Sequence, residues 1–342
     1  MKKVRPGFIP TSACYTVPPR LIRNYEPIDR PPQVGDVVYG RVAYIGQHSS
    51  LENKQGRIHA IHDGSRAVFV YGARYAPDYY EGVVPDAMTA KVDLLARSGL
   101  VGKMRQKNAA VKDPTQVEIL GYVVGEDGQP LNTLKYPIAK PKNTEGGVKK
   151  RAKLILHVGT SMNSGKSTSA VACVWGLNVM GHGVRAAKVT GTASLKDILH
   201  MQDAGAEMVA DFTYLGYPST YLLDEAQVLE IFTDLDFKYA NNAAKYWVVE
   251  IADGILQRET SMLLRSDWVR SRIHRLIFSA GDALGAIGGV RILKEQFGLV
   301  PHAISGRCSS SPLGIQELQT ATQVPVFNNM KPDLQRLTEI LI

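Results

Sequence analysis

The apolar positions change rhythm along the chain. Seven of the 18 prolines fall within residues 1–32, where no apolar periodicity is visible. That stretch reads as an extended arm laid over another surface rather than as a fold of its own. From Gln33 short alternating runs follow one another: VGDVVYGRVAYIG, RIHAIHDG, AVFVYG and QVEILGYVVGEDGQPLNTL. Such runs, broken by turn residues, predict a small, mainly-β barrel or sandwich over 33–137, interrupted by a helical stretch from Ala87 to Ser98. Residues 138–152, IAKPKNTEGGVKKRA, have the Pro, Gly and Lys content of an exposed basic linker. Beyond it, apolar strands alternate with helical segments: KLILHVG, a helix from Ser167 to Met180 stopped by Gly181, VRAAKVTG, a helix from Leu195 to Ala204, then YWVVEIADG, RLIFSAGD and HAISG, with helices between. Short apolar strands separated by helices predict an α/β domain over 153–342, a doubly wound, mostly parallel sheet covered on both faces.

Composition bounds this picture without changing it. A chain of 342 residues with 44% hydrophobic content buries a sizeable core and has the length of two domains. No apolar run approaches the roughly 20 residues that span a bilayer, and the basic start lacks a secretory apolar core. A cytoplasmic protein without a membrane partner is therefore expected. Cys14, Cys173 and Cys308 stand far apart, so neither a disulfide framework nor a zinc knuckle is indicated. The net charge of +8 is uneven: residues 1–152 hold 23 Lys and Arg against 14 Asp and Glu, and residues 153–342 hold 17 against 18. A basic amino-terminal region attracts nucleic acid or another polyanion, or it serves solubility. YGARYAPDYYEG, residues 71–82, sets four tyrosines beside Arg74 in an expected loop, suited to base stacking or to capping a barrel.

The chemistry concentrates in HVGTSMNSGKST, residues 157–168. A phosphate-binding loop aims backbone N–H groups and a helix N-terminus at phosphate oxygens, with a lysine as point charge and a hydroxyl for Mg²⁺. The standard spacing G-x-x-x-x-G-K-[ST] would put its first glycine at Thr160, but the glycine is Gly159. An apolar strand before and a helix after keep the context of such a loop. Gly159, Thr160, Asn163, Ser164, Gly165, Lys166, Ser167 and Thr168 form the candidate nucleotide-binding set. Lys166 would meet the β- and γ-phosphates, Ser167 the Mg²⁺ and Thr168 the region of the α-phosphate. Lys188 ends the second strand at the edge where open α/β sheets bind ligands. Glu250 and Asp253 end the strand YWVVEIADG as candidate metal ligands and catalytic groups, with Asp211 a third acid to consider.

Gly159-Thr160, followed by Gly165-Lys166-Ser167, resembles the variant loop of dethiobiotin synthetase, G-T-D-x-x-x-G-K-T, which has the same seven-residue step from first glycine to lysine. That family belongs to the SIMIBI class of P-loop NTPases, with the ParA/MinD ATPases and nitrogenase iron protein. The chain also resembles bacterial proteins in which such a domain follows a different amino-terminal one. Ala187-Lys188-Val189-Thr190-Gly191 is similar to the K-P-V-x-x-G element, although the proline is absent and the glycine comes sooner. Glu250 matches the glutamate of E-G-A-G-G in register. The resemblance implies the same core sheet, a homodimer, Mg²⁺, and ATP as nucleotide, with GTP left open; Ser305-Gly306-Arg307 sits where related proteins read the base. Ser161 stands where dethiobiotin synthetase has aspartate and ParA-type ATPases have a further lysine, so the substrate is not carried over. Three readings stay open: a P-loop kinase- or ligase-like enzyme activating a small substrate such as a carboxylate, an NTP-driven switch whose basic β-domain binds nucleic acid or protein, and a loop that binds nucleotide only structurally.

Overall fold

The structure, a computed structural model, describes residues 1–141 and 151–342. The chain forms two compact units. One comprises Met1–Ala139 with the segments Gly191–Lys196 and Phe212–Leu222; the other comprises Lys140–Thr190, Asp197–Asp211 and Leu223–Ile342. The sequence assigns all of 153–342 to one domain, whereas these two segments cluster with the amino-terminal unit. Residues 142–150 of the expected linker lie outside the described residues.

In the amino-terminal unit five strands close on themselves. Thr115–Val124 pairs with Val37–Tyr44, which pairs with Arg66–Tyr71, which pairs with Leu100–Lys107; Lys91–Ala96 pairs with both Leu100–Lys107 and Thr115–Val124 and completes the ring. The β-rich unit is thus a barrel. Alternation builds its core: Val38, Val42, Phe69, Val92, Leu94, Val101 and Val117 join one buried cluster. Val37, Tyr39, Val68 and Val70, on the opposite faces of the same strands, join a second with Ala13, Cys14, Val17 and Ile22. Each fully buried Val or Leu contributes about 1.5–3 kcal/mol relative to exposure, which ties the arm to the barrel. The arm also supplies strands at Lys2–Lys3, Ile9–Pro10 and Asn24–Glu26.

Two expectations are corrected here. Ala87–Ser98 does not form a helix: Lys91–Ala96 is a strand, because Val92 and Leu94 alternate into the barrel core and both edges find partners. Tertiary pairing overrides the helix-forming Met, Ala and Leu content. Residues 71–82 are a hairpin rather than an open loop, Arg74–Tyr75 pairing with Tyr80–Val83.

The second unit carries a six-stranded sheet in the order Met208–Asp211, Val184–Lys188, Tyr246–Glu250, Lys153–Gly159, Ile273–Ala280, Ala303–Gly306, and every pair is parallel. The central run LILHVG is buried throughout, as a strand covered on both faces requires. Helices α1 (Lys166–Val179), α2 (Lys196–Asp203), α3 (Glu225–Tyr239), α4 (Arg258–Arg265), α5 (Asp267–Arg272), α6 (Ala283–Phe297), α7 (Pro312–Ala321) and α8 (Leu334–Leu341) follow the strands. The strand Met208–Asp211 and helix α3 are additions to the sequence reading. Helix α3 starts on a capping box of Asp224 and Gln227, and α6 ends on Gly298 in the left-handed conformation. No helix among the described residues is long and apolar enough to cross a membrane.

Candidate phosphate site

The strand Lys153–Gly159 delivers the chain to the carboxyl edge of the sheet, and the loop from Thr160 to Gly165 turns it into α1. The turn is held by backbone: the Thr160 N–H donates to the Ser279 carbonyl at 2.9 Å and the Arg307 N–H to the Ser164 carbonyl at 3.0 Å. Asn163 has φ 58° and Gly165 φ 102°. A Cβ on Gly165 would meet the Cα of Gly306 at 2.7 Å, so only glycine fits there. Helix α1 begins with no side-chain cap and no acidic residue in its first turn. Its first N–H groups lack intrahelical partners, and its dipole favours an anion at this end.

Lys166 is 5% exposed and its Nζ donates to the Ser161 carbonyl at 2.8 Å. Burial lowers its pKa, against the pull of Glu250 and Asp253. Ser167 Oγ donates to Glu250 Oε1 at 3.0 Å, while Glu250 Oε2 is buried without a hydrogen-bond partner. Lys188 Nζ is ion-paired with Asp197 and lies 3.8 Å from Glu250 Oε1. Burial opposes the Lys188 charge, but the carboxylates of Asp197 and Glu250 outweigh it and its pKa rises. Burial likewise raises the pKa of Glu250, and the Lys188 ammonium pulls it back. Asp253 has φ 62°, and the Gly254 position admits no Cβ, which would meet the Thr160 carbonyl at 2.2 Å. The Ile255 N–H donates to the Gly159 carbonyl at 2.9 Å, sewing this loop to the phosphate-loop strand.

Ser167, Lys188 and Glu250 therefore share one network of contacts, and Lys166, bonded to the Ser161 carbonyl, joins it only electrostatically, as does Asp253, which acts on both lysines. Sequence reasoning missed two members. Asp197, in the first turn of α2, is the carboxylate that pairs with Lys188; an acid one turn into the helix after a strand-end lysine is its only sequence signal. Asn329, 6% exposed, donates from Nδ2 to the Gly165 carbonyl at 3.2 Å and to Ser169 Oγ at 3.0 Å. Ser169 in turn donates to the Ser305 hydroxyl at 3.1 Å. No local spacing announces that network.

Other candidates lie differently. Asp211 is fully buried at the end of its strand, in register with Lys188. Beyond Asp253, Gln257 caps α4 by accepting from the Thr260 N–H at 3.0 Å, and buried Glu259 pairs with Arg258 at 2.8 Å, so these polar groups serve the start of the helix itself. The Arg307 side chain is exposed.

The donor set suits a hard cation. One hydroxyl, the Glu250 carboxylate with its unpartnered oxygen and the nearby Asp197 offer oxygen ligands. Oxygen donors of this kind would suit Mg²⁺, which takes one or two carboxylates and completes its shell with water and phosphate. A divalent cation beside Glu250 would also favour its ionised form.

No family profile matches the chain, and no curated protein does. Among solved structures, the chain is similar to the signal recognition particle receptor FtsY from Elizabethkingia anophelis at 17% identity and TM-score 0.37, covering 57% of this chain and 64% of that one. It is similar to a ParA family ATPase from Chlorobium tepidum TLS at 14% identity and TM-score 0.35, covering 53% and 84%. The chain thus spans less than two thirds of the FtsY chain. At these scores the likeness assigns neither fold nor function.

Proposed function

We propose that the protein is a Mg²⁺- and ATP-dependent P-loop enzyme, similar in kind to dethiobiotin synthetase, that phosphorylates or otherwise activates a small substrate such as a carboxylate. One observation carries the reading: the uncapped N-terminus of α1 carries buried Lys166 next to Ser167, which bonds the Glu250 that Lys188 also pairs with. Phosphate oxygens would be received by the first-turn N–H groups and by Lys166 once it leaves the Ser161 carbonyl. Ser167 and Glu250, with Asp253 or Asp197, would hold Mg²⁺. The ion would supply charge neutralisation between the phosphate groups. Lys188, kept protonated by its carboxylates, would stabilise negative charge on the group in transfer.

The test is calorimetry of the purified chain with ATP, GTP and ADP in Mg²⁺, with Lys166→Ala as control. We expect binding that Lys166→Ala weakens by at least about 100-fold, roughly 2.7 kcal/mol, with an unchanged circular dichroism spectrum. Equal binding by both proteins would sink the reading. Turnover stimulated by small carboxylates supports the enzyme, whereas turnover stimulated by polynucleotide moves the reading to an NTP-driven switch.

A further inference from the structure

Behind the phosphate loop lies a cluster of neutral side chains that the transfer chemistry does not use. Ser169 of α1, Ser279 and Ser305 near the carboxyl ends of adjacent strands, and Asn329 are all buried, and all belong to the α/β unit. Their protons can be counted. Asn329 Nδ2 lies 3.2 Å from the Gly165 carbonyl and 3.0 Å from Ser169 Oγ, so its two N–H groups serve one acceptor each. The Ser279 hydroxyl donates to Ser169 at 3.2 Å, Ser169 to Ser305 at 3.1 Å, and Ser305 to the Phe327 carbonyl at 3.2 Å. Ser169 Oγ also lies 2.9 Å from the Gly165 carbonyl, but a hydroxyl has one proton to give. With that proton on Ser305, Asn329 is the side chain that donates to Gly165. The carbonyl only accepts, which fixes the amide with its nitrogen towards it.

Gly165 needs such a hold. Its φ of 102° suits glycine, and glycine has no side chain to fix the peptide that follows. The Gly165 carbonyl and the Lys166 N–H belong to one planar trans peptide and point opposite ways. Bonds to the carbonyl on the helix side, from Asn329 and from the Ser169 N–H at 3.0 Å, therefore aim the Lys166 N–H out of the α1 terminus. A phosphate oxygen would approach from that direction. Asn329 is itself placed by its neighbours: the Phe327 N–H donates to the Ile304 carbonyl at 3.2 Å, and Asn328 Oδ1 accepts from the Met330 and Lys331 N–H groups at 2.8 and 3.0 Å. Farther along, Leu337 of α8 packs so close to α1 that a Cβ on Gly176 would meet its Cδ1 at 2.6 Å. The segment that carries Asn329 is thus fixed to α1 at a second point.

We propose that Asn329 is a positioning residue for the phosphate loop: it holds the Gly165–Lys166 peptide so that the Lys166 N–H faces the phosphate. This rests on the phosphate-site reading above. The other end of the amide, Oδ1, is buried without a hydrogen-bond partner. An amino group of a nucleotide base would also satisfy it, so the experiment has to separate loop positioning from base contact.

The Kd is measured for MgATP and for inorganic tripolyphosphate with Mg²⁺, on the full-length wild type, Asn329→Ala, Asn329→Ser and Ser169→Ala, at a temperature where circular dichroism shows each protein folded. Amide exchange of Lys166 is followed with and without each ligand. We expect Asn329→Ala to raise both Kd values by the same factor, on the order of tenfold, and to remove ligand protection of the Lys166 amide. Asn329→Ser, which keeps one donor, should recover part of the affinity for both ligands. Ser169→Ala leaves Asn329 on Gly165 and should weaken binding less than Asn329→Ala does. If Asn329→Ala does not fold, Asn329→Ser carries the comparison through its common shift in both Kd values. A higher Kd for MgATP alone, with tripolyphosphate unchanged, makes Asn329 a base contact and overturns the proposal. Lower thermal stability with wild-type Kd values makes it a structural brace and overturns the proposal as well. Wild-type protein that binds neither ligand overturns the phosphate-site reading, and this proposal with it.

Discussion

The α/β unit contains two buried charge clusters, built on opposite principles. At the amino ends of the parallel strands, fully buried Asp236 of α3 is gripped by Arg272, whose Nε and Nη2 reach Oδ1 at 3.0 and 2.9 Å, and by Arg151 Nε at 3.3 Å from Oδ2. Arg272 also donates to the Ala152 carbonyl at 3.0 Å, and Arg151 lies 3.8 Å over the Phe237 ring. Burial raises the pKa of Asp236, and the two guanidinium groups oppose it. At the carboxyl ends, Glu250 faces lysines; each carboxylate keeps one oxygen without a hydrogen-bond partner, but Asp236 Oδ2 has Arg151 beside it, whereas Glu250 is ion-paired through Oε1. Arginine forks lock a carboxylate into one geometry. Lysines are point charges on flexible stems. The first cluster joins elements; the second gathers charge at the sheet edge where the candidate site lies.

The largest effect that could break this contrast is at Asp236. Replacing it with alanine leaves two largely covered guanidinium groups without their anion, and we expect a loss of about 3–5 kcal/mol in urea unfolding, with nucleotide affinity of the folded protein unchanged. Glu250→Gln should behave in the opposite way. It keeps an acceptor for Ser167, so stability should stay within about 1 kcal/mol, while the MgATP Kd rises about tenfold, roughly 1.4 kcal/mol. Equal stability losses at both sites would erase the distinction.

The smallest effect separates both clusters from a neutral neighbour. His157, in register with Glu250 on the phosphate-loop strand, is fully buried, and neither ring nitrogen has a hydrogen-bond partner. Burial pushes its pKa from 6.5 down to about 3. The unfolded chain takes up this proton below pH 6.5 and the folded chain does not, so stability is full above that pH and declines as pH falls towards 3. Burial also lowers His274 and His48, each to about 4, so they add to the same slope. His157→Leu should remove its share, about 1 kcal/mol of the stability difference between roughly pH 7.5 and 5.5. An unchanged slope in denaturation measured across that range would refute the assignment.

Much of the candidate phosphate site is legible along the chain because it is local. An apolar strand, a glycine-bearing turn and a helix follow within residues 153–180, and Lys188 and Glu250 each end a strand whose apolar run points to the same sheet edge. Helix α3 was also within reach, since Asp224 and Gln227 spell a capping box that hydrophobic rhythm alone passes over. Met208–Asp211, at four residues, is too short to show a period.

The sequence by itself therefore determined the β-then-α/β order, the parallel sheet and the strand-loop-helix around Lys166, because backbone periodicity and turn chemistry act within a few residues. Tertiary structure alone decided that Lys91–Ala96 closes a barrel, that Asp197 joins the strand-end Glu250 in pairing with Lys188, that Asn329 braces Gly165, and that the Leu195 N–H donates to Glu52. Each of these joins groups distant in sequence or on different elements. Which carboxylate meets which cation depends on how strands and crossovers bring their ends together, a geometry that no local pattern encodes.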